Sequence, residues 1–309
     1  MDKLNVGVIG VGFLGSLHAK IYHQMEEVTL VGVCDCYKKR AKEVAKRHNT
    51  DYYLNYKDLI GKVQAVSIVV PTYLHHEVAR DFLNAGVNVM IEKPITRDLK
   101  EADELISIAK KNDLILQVGH IERFNAAIEA IVGLLDEPPR FIECHRMGPF
   151  KKRVSDVGVV LDLMIHDIDI VLALVKSNVK LIEAVGVKIV SDHEDIANVR
   201  ITFENGTISD LIASRVTKKS RRTISIFQKD RFISLNYADQ SAIIHRKKDT
   251  KIKQKKLKIK KSDSLLKELV SFVDCALHKR RPLVSGDEGR RALAVALEIG
   301  KKIRETTEK

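Results

Sequence analysis

Three aspartates and a histidine interrupt a long apolar stretch, VVLDLMIHDIDIVLALV. Asp162, His166 and Asp169 stand at i, i+4 and i+7, which on a helix of 3.6 residues per turn puts them on one face. One polar residue there reads as a satisfied core group. Three in a column read as the wall of a site. An imidazole titrates near neutral pH and can take a proton from a hydroxyl. A carboxylate one turn away can orient it. The same residues leave two alternatives, a carboxylate–imidazole metal site and a hydrogen-bonded core network.

A second set lies at the start of the chain. GVIGVGFLGSLHA holds Gly10, Gly12 and Gly15 in the pattern G-x-G-x-x-G, with Phe13 and Leu14 inside it, and Asp35 follows twenty positions after Gly15. The pattern follows a strand and opens a helix, as a dinucleotide site requires. Gly10 permits the tight turn, Gly12 lets backbone N–H groups approach a pyrophosphate, and Gly15 lets helix and strand close up. A carboxylate at Asp35 accepts hydrogen bonds from ribose hydroxyls and repels a 2′-phosphate, so NAD is expected. Lys38, Lys39 and Arg40 can soften that repulsion, and NADP is the alternative. A third set is Glu92-Lys93-Pro94, placed by the pattern after the fourth strand, at the carboxyl edge where such sheets bind ligands. A proline is where a cis peptide is cheap. Alone, Lys93 reads as a surface lysine.

The elements that must position these groups change in kind near residue 120. Up to there, short apolar strands alternate with helices, the grammar of a doubly wound parallel Rossmann sheet in an α/β domain. Beyond it come a helical segment, the strand RFIECHRM, a basic loop, the Asp162 helix, a run of strands with an Asn205-Gly206 hairpin turn, and two closing helices. The chain is expected to hold a dinucleotide-binding domain at 1–120 and an α+β substrate-binding and oligomerisation domain at 121–309. The second has a large, mostly antiparallel sheet, and the last helix packs back on the first domain.

The 309 residues are 45% hydrophobic and 30% charged, an ordinary globular balance. No run of about 18 uncharged apolar residues exists, so no membrane span is expected. The strand pattern begins at once, leaving no signal peptide to expect. The four cysteines, Cys34, Cys36, Cys144 and Cys275, form no C-x-x-C pair and read as reduced thiols of a cytoplasmic protein. The net charge of +12 is concentrated in HRKKDTKIKQKKLKIKK, residues 245–261, which carries +9 and leaves +3 for the rest. Apolar Ile252, Leu257 and Ile259 between its lysines fit a hairpin at a sheet edge, where lysine blocks edge-to-edge pairing. No nucleic-acid partner is expected.

The glycine motif, PTYLH at 71–75, Glu92-Lys93-Pro94 and Asp162-x-x-x-His166-Asp167-x-Asp169 occur in order over essentially the whole chain. Together they resemble the glucose–fructose oxidoreductase / inositol dehydrogenase (Gfo/Idh/MocA) family. The resemblance implies metal-free hydride transfer from a sugar hydroxyl carbon to the nicotinamide, with Lys93, Asp162 and His166 catalytic. It implies cofactor contacts at Gly10, Gly12, Phe13, Leu14, Gly15, Asp35, Pro71, Thr72, His75, Glu92, Lys93, Pro94 and His120. VGHIERFN and RMGPFKKRVSDVGVVLDLMIHDID look like the branch that oxidises C3 of a UDP-N-acetylhexosamine. That branch implies Arg123, Arg146, Arg153 and Asp169 at the substrate beside the catalytic residues, with Arg146, Lys151, Lys152 and Arg153 as a diphosphate clamp. A homodimer or homotetramer through the C-terminal sheet is expected. An inositol or free-sugar dehydrogenase and a non-catalytic NAD-binding regulator are the alternative readings.

Overall fold

The computed structural model describes residues 3–150, 157–248 and 251–307. In chain order the first part holds β1 (Leu4–Ile9), α1 (Phe13–Gln24), β2 (Val28–Cys34), α2 (Lys38–Arg47), β3 (Asp51–Tyr53), β4 (Ala65–Ile68), α3 (His75–Asn84), β5 (Asn88–Glu92), α4 (Leu99–Lys111) and β6 (Leu116–Gly119). The strands form one parallel sheet in the order β3-β2-β1-β4-β5-β6. Strand order reverses at β1, so the loops after β1 and β4 open at the switch point where such sheets hold ligands. All four residues of β4 are buried, as are the first four of β5, the mark of strands covered on both faces. The sequence pattern missed β3, which is three residues long. Glu92-Lys93-Pro94 therefore follows the fifth strand, not the fourth.

The rest comprises α5 (Ala126–Val132), β7 (Phe141–Met147), a π-helical turn (Val160–Met164) running into α6 (Ile165–Val175), β8 (Val179–Val187), β9 (Ile196–Phe203), β10 (Ile208–Ser214), β11 (Arg221–Phe227), β12 (Arg231–Asn236), β13 (Ser241–Lys248), β14 (Lys251–Lys256), α7 (Ser264–His278) and α8 (Gly286–Thr307). The eight strands form a second sheet, β14-β13-β12-β11-β7-β10-β9-β8, antiparallel except where β7 lies beside β10. Strand residues alternate between a buried and an open face. In β7, Ile142, Cys144 and Arg146 point to the buried side. β14, exposed along its length, forms the sheet edge with the lysines expected there.

By contacts the chain divides into Met1–Ile121 with Asp263–Arg290, and Glu122–Ser262 with Arg291–Lys309. The sequence boundary near 120 recurs, but α7 belongs to the first unit. Its apolar face, with Leu265, Leu269 and Phe272, joins a core that includes Val6, Val8, Ala19 and Tyr22. The first turn of α8 stays with that unit as well, since a Cβ at Gly289 would lie 2.6 Å from Val118. The second unit is built around Ile142, Cys144, Ile168, Val171, Val199, Leu211 and Ile224.

Candidate functional site

The glycine loop follows β1. Gly10 has φ +85°, and a Cβ there would lie 2.6 Å from the Val69 carbonyl oxygen. A Cβ at Gly15 would lie 1.8 Å from the Gly10 carbonyl oxygen, so helix and loop touch. At Gly12 a Cβ would meet nothing within 4 Å, which leaves that side open. Phe13 is exposed beside it, Leu14 is half-buried, and the first turn of α1 holds no acidic residue. An open glycine edge at a helix N-terminus suits a pyrophosphate. Asp35, one residue beyond β2, accepts from Val11 N at 3.0 Å and Tyr37 N at 2.9 Å, and pairs with Arg40 at 3.1 Å. The arrangement fits a dinucleotide whose ribose meets a fixed carboxylate.

Two further loops end β4 and β5. Pro71 is exposed and Thr72 half-buried. Lys93 is half-buried, and the Lys93–Pro94 peptide bond is cis. His75, read from sequence as a cofactor contact, is buried and ties two loops together. Its Nδ1 lies 2.9 Å from the Pro94 carbonyl and its Nε2 2.9 Å from the Val70 carbonyl. Burial pushes its pKa down, opposed by the two carbonyls and by Glu92. A neutral imidazole donates once, so one of those contacts is always the weaker. The ring holds the Lys93 loop to the loop after β4. His120 is likewise buried, its N–H on the Val118 carbonyl.

Sequence reasoning gave His18 no role. It is wholly buried on α1, and its Nε2 comes within 3.5 Å of Glu92 Oε1, off the line of a hydrogen bond. Glu92 in turn lies against Gly119, where a Cβ would come within 2.9 Å of its carboxylate. The signal was a lone histidine three residues after Gly15, on the helix that opens at the cofactor loop.

In the second unit the polar column is built differently from the expected regular helix. Asp162 sits in the π-helical turn and His166 in the first turn of α6, and both are half-buried. π-turns recur at functional sites because they widen the helix and re-aim side chains. Contacts at Gly158 fix the start of this one. Asp162 N donates to Gly158 O at 3.0 Å, Val159 N to Glu194 O at 2.8 Å, and Val160 N to Glu194 Oε1 at 3.3 Å. A Cβ at Gly158 would fall 1.9 Å from that carboxylate, so a larger residue would push the Glu194 side chain aside. Arg215 donates to Val157 O at 2.7 Å and pairs with buried Asp195 at 2.8 Å.

Asp169 parts from the other two. It is buried and pairs with Arg123 at 3.5 Å. The structure thus brings Asp169 and half-buried Arg123, both expected at the substrate, together as an ion pair. Arg146 is the larger correction. It lies on the inward face of β7 with its side chain 3% exposed, its Nε and Nη2 on the two carboxylate oxygens of Asp167 at 2.9 and 2.8 Å. Its Nη1 reaches Glu122 at 2.9 Å, and the guanidinium lies 5.0 Å from the Tyr237 ring centroid. A guanidinium with three of its five N–H groups on two carboxylates and its side chain buried is not presented to a diphosphate. Burial pushes the Asp167 carboxyl pKa up against the pull of Arg146. Lys151, Lys152 and Arg153 lie outside the described residues.

Residues 4–120 match the oxidoreductase family with the NAD-binding Rossmann fold, and residues 137–233 match the Gfo/Idh/MocA C-terminal domain. The chain is 38% identical to the UDP-N-acetylglucosamine 3-dehydrogenase of Acidithiobacillus ferrooxidans over 97% of each chain. It superposes on a crystal structure of that enzyme with a TM-score of 0.94, at 37% identity and 99% coverage of both chains. The myo-inositol 2-dehydrogenase of Thermotoga maritima is 25% identical over 98% of this chain and 97% of its own. The scyllo-inositol dehydrogenase of Lactobacillus casei with bound NAD(H) and scyllo-inositol shares the fold, with a TM-score of 0.85 at 18% identity over 99% and 98% of the two chains. With its NAD-binding Rossmann domain and its second, largely antiparallel domain, the chain belongs to the Gfo/Idh/MocA family of oxidoreductases.

Proposed function

We propose that this oxidoreductase takes a hydride from C3 of a UDP-N-acetylhexosamine and yields the 3-keto sugar nucleotide. One observation carries the substrate reading: similarity to a UDP-N-acetylglucosamine 3-dehydrogenase spans 97% of both chains at 38% identity, while the inositol dehydrogenase stands at 25%. NAD, when bound, supplies the hydride acceptor. His166 takes the proton of the reacting hydroxyl as the C–H bond breaks. Asp162 orients His166, and Lys93 stabilises charge developing on the same oxygen. Gly10, Gly12, Phe13, Leu14 and Gly15 receive the pyrophosphate, and Asp35 the adenosine ribose. Thr72 and Glu92 line the cofactor side of the Lys93 loop, which His75 holds in shape.

With Arg146 turned inward, the diphosphate partners proposed from the sequence reduce to Lys151, Lys152 and Arg153. Charged contacts far from the reacting carbon raise productive binding. Assembly as a homodimer or homotetramer through the open face of the second sheet is proposed from an aromatic row there. Phe141, Phe227, Phe232 and His245 succeed one another at 5.5, 5.3 and 4.0 Å between ring centroids. A cytoplasmic location is proposed from the cysteines, all free, three of them buried. Among the described residues no helix is long and apolar enough to cross a membrane.

The test is NAD reduction followed at millimolar UDP-N-acetylglucosamine, N-acetylglucosamine, free hexoses and inositols, with UDP as competitor. Turnover of the nucleotide sugar alone and competition by UDP are expected. Turnover of an inositol without UDP competition moves the substrate to that class. NAD binding with no turnover of any of these favours a regulator.

A further inference from the structure

The turn that carries Asp162 begins without a cap of its own. The first N–H groups of a helix have no partner within it, and a polar side chain at the cap position usually serves one of them. Here that position is Val159, preceded by Gly158, and neither has a side chain that accepts a hydrogen bond. Gly158, Val159 and Val160 are buried, so bulk water does not serve those groups either. One distant residue meets two of them. Val159 N donates to the Glu194 carbonyl at 2.8 Å, and Val160 N donates to Glu194 Oε1 at 3.3 Å. The carboxylate also brings negative charge to the positive end of the helix. The next residue fixes Glu194 in turn. Asp195 is wholly buried and accepts from Ile189 N, Val190 N and Arg215 Nε at 2.7, 2.7 and 2.8 Å.

We propose that Glu194 is a positioning residue for the reaction, a cap supplied from the loop between β8 and β9 to the turn that holds Asp162. This rests on the role given to Asp162 in orienting His166. Glu194 acts through the backbone. Asp162 follows Val160 by two residues, and its N–H closes on the Gly158 carbonyl at 3.0 Å, so it is tied to the segment that Glu194 grips. Gly158 belongs to the same device. Its φ lies outside the left-handed region, and a Cβ there would fall 1.9 Å from Glu194 Oε1, in the space the cap occupies. A side chain at position 158 therefore contends with the cap for room rather than with backbone strain.

The test is steady-state turnover of the full chain with NAD and UDP-N-acetylglucosamine, beside calorimetric titration with NAD. Glu194→Ala should lower kcat about tenfold, as misplacement of a catalytic group does, and leave NAD affinity and the Michaelis constant of the sugar nearly unchanged. Glu194→Gln, whose amide oxygen still accepts from Val160 N, should recover most of that turnover. Gly158→Ala displaces the cap without deleting it. It should reproduce the loss alone, add nothing to it in the Glu194→Ala chain, and carry the test should Glu194→Ala not fold. The decisive cycle pairs either variant with Asp162→Asn. If the cap works through Asp162, its loss costs little in a chain that already carries Asp162→Asn. A merely structural role lowers turnover by the same factor in both chains. That result, an unchanged kcat in Glu194→Ala, or Glu194→Gln falling as far as Glu194→Ala, overturns the proposal. If Asp162→Asn alone turns over normally, the role of Asp162 falls and this one with it. If Asp162→Asn is slow and the two losses multiply, this one falls alone.

Discussion

Arg40 with Asp35 and Arg146 with Asp167 bring the same two groups to nearly the same distance, 3.1 and 2.8 Å. The surroundings make them different devices. The first has one partner half in water, a single close contact and an exposed aromatic ring against the cation. The second is 3% exposed on both sides, bidentate, and tied to Glu122 by a third bond. An exposed pair holds weakly and can open for a ligand. A buried pair cannot open without leaving a charge stranded in the interior. Charge near a binding site therefore says little until its burial is known.

The sharpest way to break the comparison is to remove each arginine. Arg146→Gln should cost about 3–5 kcal/mol of stability, because Asp167 is left buried and uncompensated. Urea unfolding reads this directly, and Arg40→Gln should change stability by less than about 1 kcal/mol. Whatever Arg146→Gln protein remains folded should keep its UDP competition, which a diphosphate partner would lose. Next in size is His166→Ala, one residue from Asp167. It should lower turnover about 10²-fold or more while NAD binding persists, as for loss of a general base. Near-normal turnover would remove His166 from the chemistry.

A third pair extends the comparison to acid. Burial alone would raise the pKa of Asp195, but the N–H groups of Val190 and Ile189, the Arg215 guanidinium and the Ser191 hydroxyl hold it well below the usual carboxylate range. A folded value below the unfolded one contributes stability that is complete above the unfolded value, about 3.9, and is lost as pH falls through the folded value. The stability gap between wild type and Asp195→Asn should thus be constant above about pH 5 and shrink at pH 3. A gap that widens in acid would reverse the assignment. The smallest effect belongs to the edge strand. Changing Lys253, Lys255 and Lys258 to Gln should lower solubility or promote self-association and leave turnover unchanged. A rise in the Michaelis constant for a nucleotide sugar would instead make the hairpin a functional surface.

Much of this was readable from residues alone, and the failures share a cause. The glycine loop, Asp35 and the parallel sheet announced themselves because local spacing determines them. Arg146 was misread because it stands near Lys151, Lys152 and Arg153, which suggested one basic patch. Parity along β7 held the correction, since Arg146 alternates in phase with Ile142 and Cys144, both buried. The π-turn was hidden because a fit to a regular helix of 3.6 residues per turn cannot register one wide turn, and Glu194, which accepts from Val160 at its start, comes from a loop 34 residues further on. Asp169 fell on the right face of the predicted helix, but only tertiary packing shows that Arg123 meets it there.

The placement of α7 also shapes how the chain is made. A ribosome releases every residue of the glycine motif, Asp35 and Lys93 long before residues 264–278. Until then part of the α1 face and the sheet beneath it lack Leu265, Leu269 and Phe272, which complete their core. The nascent cofactor domain must wait with apolar surface uncovered while more than 140 intervening residues are synthesised, a long-range closure of the slow and aggregation-exposed kind. A fragment ending at residue 121 would carry the whole cofactor signature and still not be the cofactor domain.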